Sequence, residues 1–212
     1  MATTKKKYYV VWNGRKTGIF ATWAECQKQI DGFPGAKYKS FISRQLAEDA
    51  FRGDSREYIG KKIFESELSD FERNLLGKPI TDSVSVDAAW NSSNGLMEYQ
   101  GVETGTGKLL FKQGPFQDAT NNIGEFLAIV HAAVFLRKIN STIPIYTDSK
   151  TALSWIKKKK ANTQLAGTKN NENLFEVIAR AEKWLNDNTI ENQILKWETK
   201  AWGEIIADFG RK

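Results

Sequence analysis

Apolar residues recur along the second half of the chain with the periods of helices and strands. A stripe at helical spacing predicts a helix over 172–186 and consists of Leu174, Val177, Ile178, Ala181, Trp184 and Leu185. Strand propensity and intervening turn residues predict antiparallel strands at 83–90, 96–102 and 108–113. Helices are further predicted at 122–138, 149–159 and 203–210, and strands at 144–147 and 194–197. A meander followed by β-α units predicts an α/β fold, with a mixed five-stranded sheet and flanking helices.

The first quarter of the chain carries a separate, smaller pattern. Strands are predicted at 8–12, 19–20 and 37–41, and a last helix at 44–52. Thr22 followed three residues later by Glu25 forms a capping box, which predicts a helix that ends before Gly32 and Pro34. These elements predict a small α+β unit at 1–53.

Charge and turn residues divide the chain into three parts. Residues 1–53 carry a net charge of +6, residues 54–80 of −1 and residues 81–212 of +1. The middle part mixes charges with glycine and proline, which predicts a linker at 54–80 between domains at 1–53 and 81–212. Within it, Phe64, Leu68, Phe71 and Leu75 fall at helical spacing and predict a docked helix.

Composition excludes several classes of site. The single cysteine, Cys26, cannot form an internal disulfide, and His131 is the only histidine, so any metal must be held by oxygen ligands. The N-terminal residues lack the apolar core of a secretory signal, and the chain holds no run of about 18 apolar residues. We therefore expect a soluble, cytoplasmic protein without membrane contact. The pI near 9.2 favours an anionic partner.

The candidate functional residues are carboxylates that lie within apolar elements. Asp87 ends a run predicted to be a central strand, where an unpaired charge is costly. Asp148 follows another strand, Glu125 lies near the start of an apolar helix, and Glu204 and Asp208 are four residues apart in the predicted closing helix. Each except Asp87 has a plainer interpretation: Asp148 as a helix cap, Glu125 as a first-turn acid, and the last two as exposed acids.

An Asp and Glu constellation suits hard divalent ions. Mg²⁺ is the expected cofactor and Mn²⁺ a substitute. Two such ions about 3.5–4 Å apart can promote phosphodiester hydrolysis when carboxylates are shared between them.

Four segments in this order resemble a type 1 ribonuclease H over about 82–212. They are Ser85-Val86-Asp87, Thr120-Asn121-Asn122-Ile123-Gly124-Glu125, Tyr146-Thr147-Asp148-Ser149 and Trp202-Gly203-Glu204-Ile205-Ile206-Ala207-Asp208. The first quarter resembles the N-terminal hybrid-binding, or viroplasmin-like, domain of such enzymes. That likeness is carried by Tyr9-Val10-Val11, Gly14-Arg15-Lys16-Thr17-Gly18, Thr22-Trp23, Cys26, Phe33-Pro34 and Tyr38-Lys39-Ser40-Phe41.

The resemblance implies a ribonuclease H-like fold and an endonuclease that hydrolyses the RNA strand of RNA–DNA hybrids, leaving 5′-phosphate and 3′-hydroxyl ends. It implies that two Mg²⁺ ions bind Asp87, Glu125, Asp148 and Asp208, with Glu204 assisting metal turnover or product release. The substrate-binding residues expected from it are Thr120, Asn121, Asn122, Ser149 and Lys150. In the first domain the expected contacts are Tyr9 and Trp23 on sugar rings and Lys37 and Lys39 on phosphates; Trp23 as a core residue is the alternative.

Two other functions stay open at this point. One is a protein that binds hybrid or duplex RNA and retains the nuclease fold as a scaffold, and the other is a DNA-cutting relative of the integrase or transposase type. The presence of all four acids disfavours the first. The expected partner is the RNA–DNA hybrid, and no protein partner is implied.

Overall fold

The computed structural model describes residues 7–61, 63–66 and 68–210 of the 212-residue chain. The chain divides into two compact units, Met1–Glu67 and Leu68–Lys212. Within the described residues, no helix combines the length and the apolar character needed to cross a membrane.

The first unit is a three-stranded antiparallel sheet with two helices. Its elements are β1 (Tyr8–Asn13), β2 (Gly18–Phe20), α1 (Trp23–Ile30), β3 (Lys37–Phe41) and α2 (Arg44–Arg52), followed by a 3₁₀ turn at Ser55–Glu57. The strand order is β2-β1-β3. Helix α1 begins with the predicted capping box between Thr22 and Glu25. The core of the unit lies around Val10, Phe41, Ala47 and Ala50.

The second unit is a mixed five-stranded sheet in the order β6-β5-β4-β7-β8. Its elements are α3 (Asp70–Leu76), β4 (Val84–Asn91), β5 (Leu96–Glu103), β6 (Leu109–Phe116), α4 (Asn121–Lys138), β7 (Ile145–Thr147), α5 (Lys150–Lys158), α6 (Glu172–Asp187), β8 (Ile194–Lys196) and α7 (Thr199–Trp202). Strands β4, β5 and β6 pair antiparallel, whereas β4–β7 and β7–β8 pair parallel. The predicted α/β architecture is therefore confirmed.

The two faces of this sheet are covered differently. On one face, Val86 and Ala88 of β4 pack with Phe126 and Ile129 of α4 in the main core. Successive strand residues point to opposite faces, so Ser85 and Asp87 lie on the other one. Tyr146, whose register partner is Ser85, packs there with Trp197 and Ile205. The C-terminal part of the chain thus covers the face that carries Asp87.

The predicted closing helix at 203–210 is wrong. Helix α7 stops at Gly203, which adopts a φ of 84°, and the Trp197 indole N–H donates to its carbonyl at 2.8 Å. Beyond it, Ile205 and Ala207 are buried, whereas the residues that flank Ile205 are exposed. This alternation is incompatible with one helical face, so Glu204 and Asp208 do not share a helix side.

The predicted helix in the linker is confirmed only in part. It spans Asp70–Leu76 and begins with a capping box between Ser69 and Glu72. The side chains of Phe71 and Leu75 are 77% and 78% exposed, contrary to the docking expected of them.

Candidate active site and nucleic-acid interface

Asp87 is a buried acid in the centre of the larger sheet. It lies on β4, between β5 and β7, and is only 9% exposed. Burial, reinforced by repulsion from Asp148, Glu125 and Asp208, raises its pKa to about 8, although the backbone N–H of Ala88 donates to the carboxylate. An ionised carboxylate at this position destabilises the fold unless a cation compensates its charge.

Glu125 approaches Asp87 because glycine precedes it. A Cβ at Gly124 would lie 2.6 Å from both the Ala88 Cβ and the Met97 Sδ, so only glycine lets α4 pack this close to the sheet. Asn121 donates to the Glu125 carboxylate at 2.9 Å. Burial raises the pKa of Glu125, opposed by its hydrogen bonds with Ser149 and Asn121. The first turn of α4 holds no acid, so the first-turn interpretation of Glu125 does not apply.

Asp148 follows the strand next to Asp87. Ser85 is the register partner of Tyr146 in the parallel β4–β7 pair, and Asp87 and Asp148 each lie two residues farther along. The cap of α5 is Ser149, whose hydroxyl accepts from the Ala152 N–H at 3.1 Å, and not Asp148. Burial raises the pKa of Asp148, and nearby Lys196 opposes the shift.

These three acids form one cluster of possible metal ligands. One carboxylate oxygen from each of Asp87, Glu125 and Asp148 lies within 4.8 Å of the other two. Each of the three pKa values is raised, mainly by burial and further by the neighbouring acids. An all-oxygen donor set with uncompensated negative charge fits a hard divalent cation such as Mg²⁺.

Asp208 and Glu204 lie beside the cluster on the C-terminal segment. Asp208 lines a cavity of about 430 Å³ together with Asp87 and Asn121. Repulsion from Glu204 and Asp208 contributes to the raised pKa of Asp148, so both acids act on this site. Glu204 is exposed and Asp208 is half-buried.

The expected substrate-binding residues lie at the N-terminal ends of α4 and α5. Thr120 occupies the cap position of α4, where its side chain makes no capping hydrogen bond. Asn121 contacts Glu125 directly, and Asn122 is exposed. Ser149 is buried as the cap of α5, whereas Lys150 is exposed.

The first unit presents an aromatic surface formed by residues of β1 and β3 and by the first residue of α1. The Trp23 ring lies 5.6 Å from the ring of Tyr9 and 5.8 Å from that of Tyr38, measured between centroids. Trp23 and Tyr38 are each 42% exposed, so Trp23 is not a core residue. Lys37 is exposed, and the Lys39 ammonium donates to the carbonyls of Tyr58 and Lys61 at 2.9 and 2.6 Å.

The structure adds residues that the sequence did not single out as functional. Tyr38 completes the aromatic surface, Lys196 lies near Asp148, and Gln100 is the register partner of Asp87. A lysine or a glutamine in a strand carries no sequence signal of its own, whereas Tyr38 could have been found from its strand alternation. His131 stacks on Phe111 at 4.0 Å between ring centroids.

Comparison with known proteins gives matches to both units. Residues 7–51 match the family described as Ribonuclease H1 N-terminal domain. The chain is 22% identical to a ribonuclease H of Schizosaccharomyces pombe over 98% of its own length and 97% of that protein. It is 50% identical to human ribonuclease H1 over 40 residues, which cover 19% of this chain and 14% of the human protein. The solved N-terminal ribonuclease H domain of a Mycobacterium tuberculosis protein is 17% identical with a TM-score of 0.33, covering 55% of this chain and 80% of that one.

Proposed function

We propose that this chain, a type 1 ribonuclease H with an N-terminal hybrid-binding domain, hydrolyses the RNA strand of RNA–DNA hybrids. The observation that carries the proposal is the cluster of Asp87, Glu125 and Asp148, with one oxygen of each within 4.8 Å of the others. Three acids from different elements converge beside the buried strand β4, at a cost that an apolar core would avoid. Such a cost is understandable at a site that binds cations for catalysis.

Two Mg²⁺ ions are the proposed cofactor, held by Asp87, Glu125, Asp148 and Asp208, with Mn²⁺ as a substitute. When bound, they supply the positive charge that activates water for in-line attack and stabilises the leaving oxygen, so that 5′-phosphate and 3′-hydroxyl ends result. Asp87, the most buried of the four, is the proposed shared ligand. The exposed position of Glu204 suits a role in metal turnover or product release.

The chain's own residues prepare the site for this chemistry. Asn121 and Ser149 hold Glu125 by hydrogen bonds that favour its charged form. Asn121 also lines the cavity with Asp87 and Asp208, where its amide can reach a ribose 2′-hydroxyl. We assign Thr120 and Asn122 to a phosphate of the DNA strand, because they lie at the N-terminus of α4, and the exposed Lys150 to a neighbouring phosphate.

The first unit is the proposed tether to the hybrid. Aromatic rings next to cations are a common nucleic-acid surface. We assign this role to Tyr9, Trp23 and Tyr38, because the rings of Tyr9 and Tyr38 both pack on Trp23. We assign Lys37 and Lys39 to phosphates; Lys39 would exchange one of its carbonyl contacts for this. The proposed functional boundaries are 1–53 for the hybrid-binding domain, 54–80 for the linker and 81–212 for the catalytic domain.

A digestion of three matched substrates tests the function. Purified protein is incubated with the same sequence as RNA–DNA hybrid, duplex DNA and duplex RNA, with Mg²⁺ and with EDTA. We expect cleavage of the hybrid alone, and only in Mg²⁺. The products should carry 5′-phosphate and 3′-hydroxyl ends, which a ligase can rejoin. Cleavage of duplex DNA instead would favour the integrase-like alternative.

Two variants separate catalysis from binding. Asp148→Asn keeps the size of the side chain but weakens a cation ligand, so it should bind the hybrid and not cut it. Asp187→Asn removes an exposed acid that pairs with Lys183 on α6, and it serves as the matched control with full activity. Normal cleavage by Asp148→Asn in Mg²⁺ would contradict the assignment.

A further inference from the structure

Asp208 needs a support other than a helix. Its segment is irregular, and its own hydrogen bonds are local: its N–H donates to the Ile205 carbonyl at 2.9 Å, and its carboxylate accepts from the Gly210 N–H at 2.9 Å. Bonds within a turn fix the shape of that turn but not its distance from the sheet. The position of the carboxylate relative to Asp87 therefore depends on what fastens the segment to β4 and β5.

Gln100 makes such a connection. Its side-chain Nε2 donates to the carbonyl of Ala207 at 2.7 Å, across 107 residues of sequence. Ala207 is fully buried, so its carbonyl oxygen needs a partner from within the protein. The residue directly before Asp208 is thereby tied to the side chain of a sheet residue.

Gln100 also stands beside the most buried acid of the site. It is the register partner of Asp87 in the antiparallel β4–β5 pair. Side chains of directly opposed residues lie on the same face of a sheet, about 4.5–5.5 Å apart at their Cβ atoms. One amide side chain therefore lies next to Asp87 and holds the backbone that carries Asp208.

We propose that Gln100 is a positioning residue that sets the place of Asp208 relative to Asp87 through the Ala207 carbonyl. The inference rests on the proposed function, in which both acids hold the same cations. Glutamine suits the task because its amide is a neutral donor: it bonds a carbonyl without adding charge to a crowded group of acids. Its partner is a backbone atom, so the bond constrains the chain itself and not a mobile side chain.

Gln100→Met tests this, because methionine matches the length of glutamine but has no N–H donor. The control is Gln113→Met, the same change at an exposed position on β6. We expect Gln100→Met to lower kcat and Mn²⁺ affinity by about tenfold or more with KM for hybrid unchanged, as for outer partners of metal ligands. Mn²⁺ affinity is measured without hybrid, from the loss of the free-ion electron paramagnetic resonance signal. Gln113→Met should match the original chain in all three.

A double-mutant cycle distinguishes positioning from general support of the fold. In an Asp208→Asn background, Gln100→Met should change Mn²⁺ affinity by less than about twofold, because the ligand it positions is already weakened. Amide hydrogen exchange should speed up in 203–210 but not in α6. If Gln100→Met unfolds the protein, Gln100→Ala, which leaves room for water at the Ala207 carbonyl, is carried through the same measurements.

The outcomes separate the two proposals. Two results would overturn the positioning role if the original chain cuts hybrid. In the first, Gln100→Met keeps its kcat and Mn²⁺ affinity. In the second, it lowers them in the Asp208→Asn background by the same factor as in the original chain. If the original chain does not cut hybrid, the proposed function fails. Mn²⁺ binding and hydrogen exchange then still decide whether Gln100 positions Asp208.

Discussion

Replacing Asp87 by asparagine should make the metal-free protein more stable while removing its activity. In the folded state the pKa of Asp87 is raised to about 8, against an ordinary value of 3.8. The folded protein therefore binds this proton more tightly than the unfolded chain does. The contribution of Asp87 to the free energy of unfolding is therefore fully present below pH 3.8. It is lost progressively as the pH rises from there towards 8.

The raised pKa sets the size of the effect. Each pH unit above the unfolded-state pKa, up to the folded-state pKa, lowers the free energy of unfolding by about 1.4 kcal/mol. The Asp87 carboxyl therefore costs at most about 4 kcal/mol of stability at pH 7. Asparagine carries no such cost and has nearly the same shape. Because about 1 kcal/mol corresponds to roughly 2–4 °C in a domain of this size, Asp87→Asn should raise the melting temperature at pH 8 by about 5 °C or more.

Thermal unfolding in EDTA, followed by circular dichroism at pH 5 and pH 8, measures this. The gain should be clearly larger at pH 8 than at pH 5, and Mg²⁺ should stabilise the original chain more than the variant, since the ion binds only the folded site. Asp187→Asn, at an exposed acid, is the control and should change little. A melting temperature that does not rise at pH 8, or rises equally at both pH values, would refute the reasoning.

Three further predictions concern packing and hybrid binding. Gly124→Ala should lower the free energy of unfolding in urea by about 1–3 kcal/mol, because the new Cβ would lie 2.6 Å from the Ala88 Cβ. The control Gly167→Ala places its Cβ in open space and should be tolerated. Equal stability of the two variants would contradict the close packing at Gly124. Trp23→Ala should weaken hybrid binding by about 1–3 kcal/mol and retain kcat, with binding measured by fluorescence anisotropy in Ca²⁺. The control Phe51→Ala, at another exposed ring, should have no effect. Lys37→Ala should reduce the slope of log affinity against log salt by about 1; an unchanged slope would remove Lys37 from the phosphate contacts.

Local sequence signals predicted most elements of the fold. The capping box at Thr22 and Glu25 and the apolar stripe of the 172–186 helix depend on neighbours within one or two turns, and the structure has both. The closing helix failed because the pattern around Glu204 and Asp208 does not reveal that Gly203 adopts a positive φ. Nor does it reveal that Ile205 packs against Tyr146 of β7 and against Trp197, which follows β8.

The sequence by itself determined which acids are candidates, because Asp87 in an apolar strand already signals an uncompensated charge. Only the tertiary structure decided which acids meet, since β4, α4 and the end of β7 are brought together by sheet register and by the close approach at Gly124. It also decided that Gln100 reaches Ala207. Contacts between residues this far apart in sequence depend on the packed chain as a whole, and no local pattern of residues encodes them.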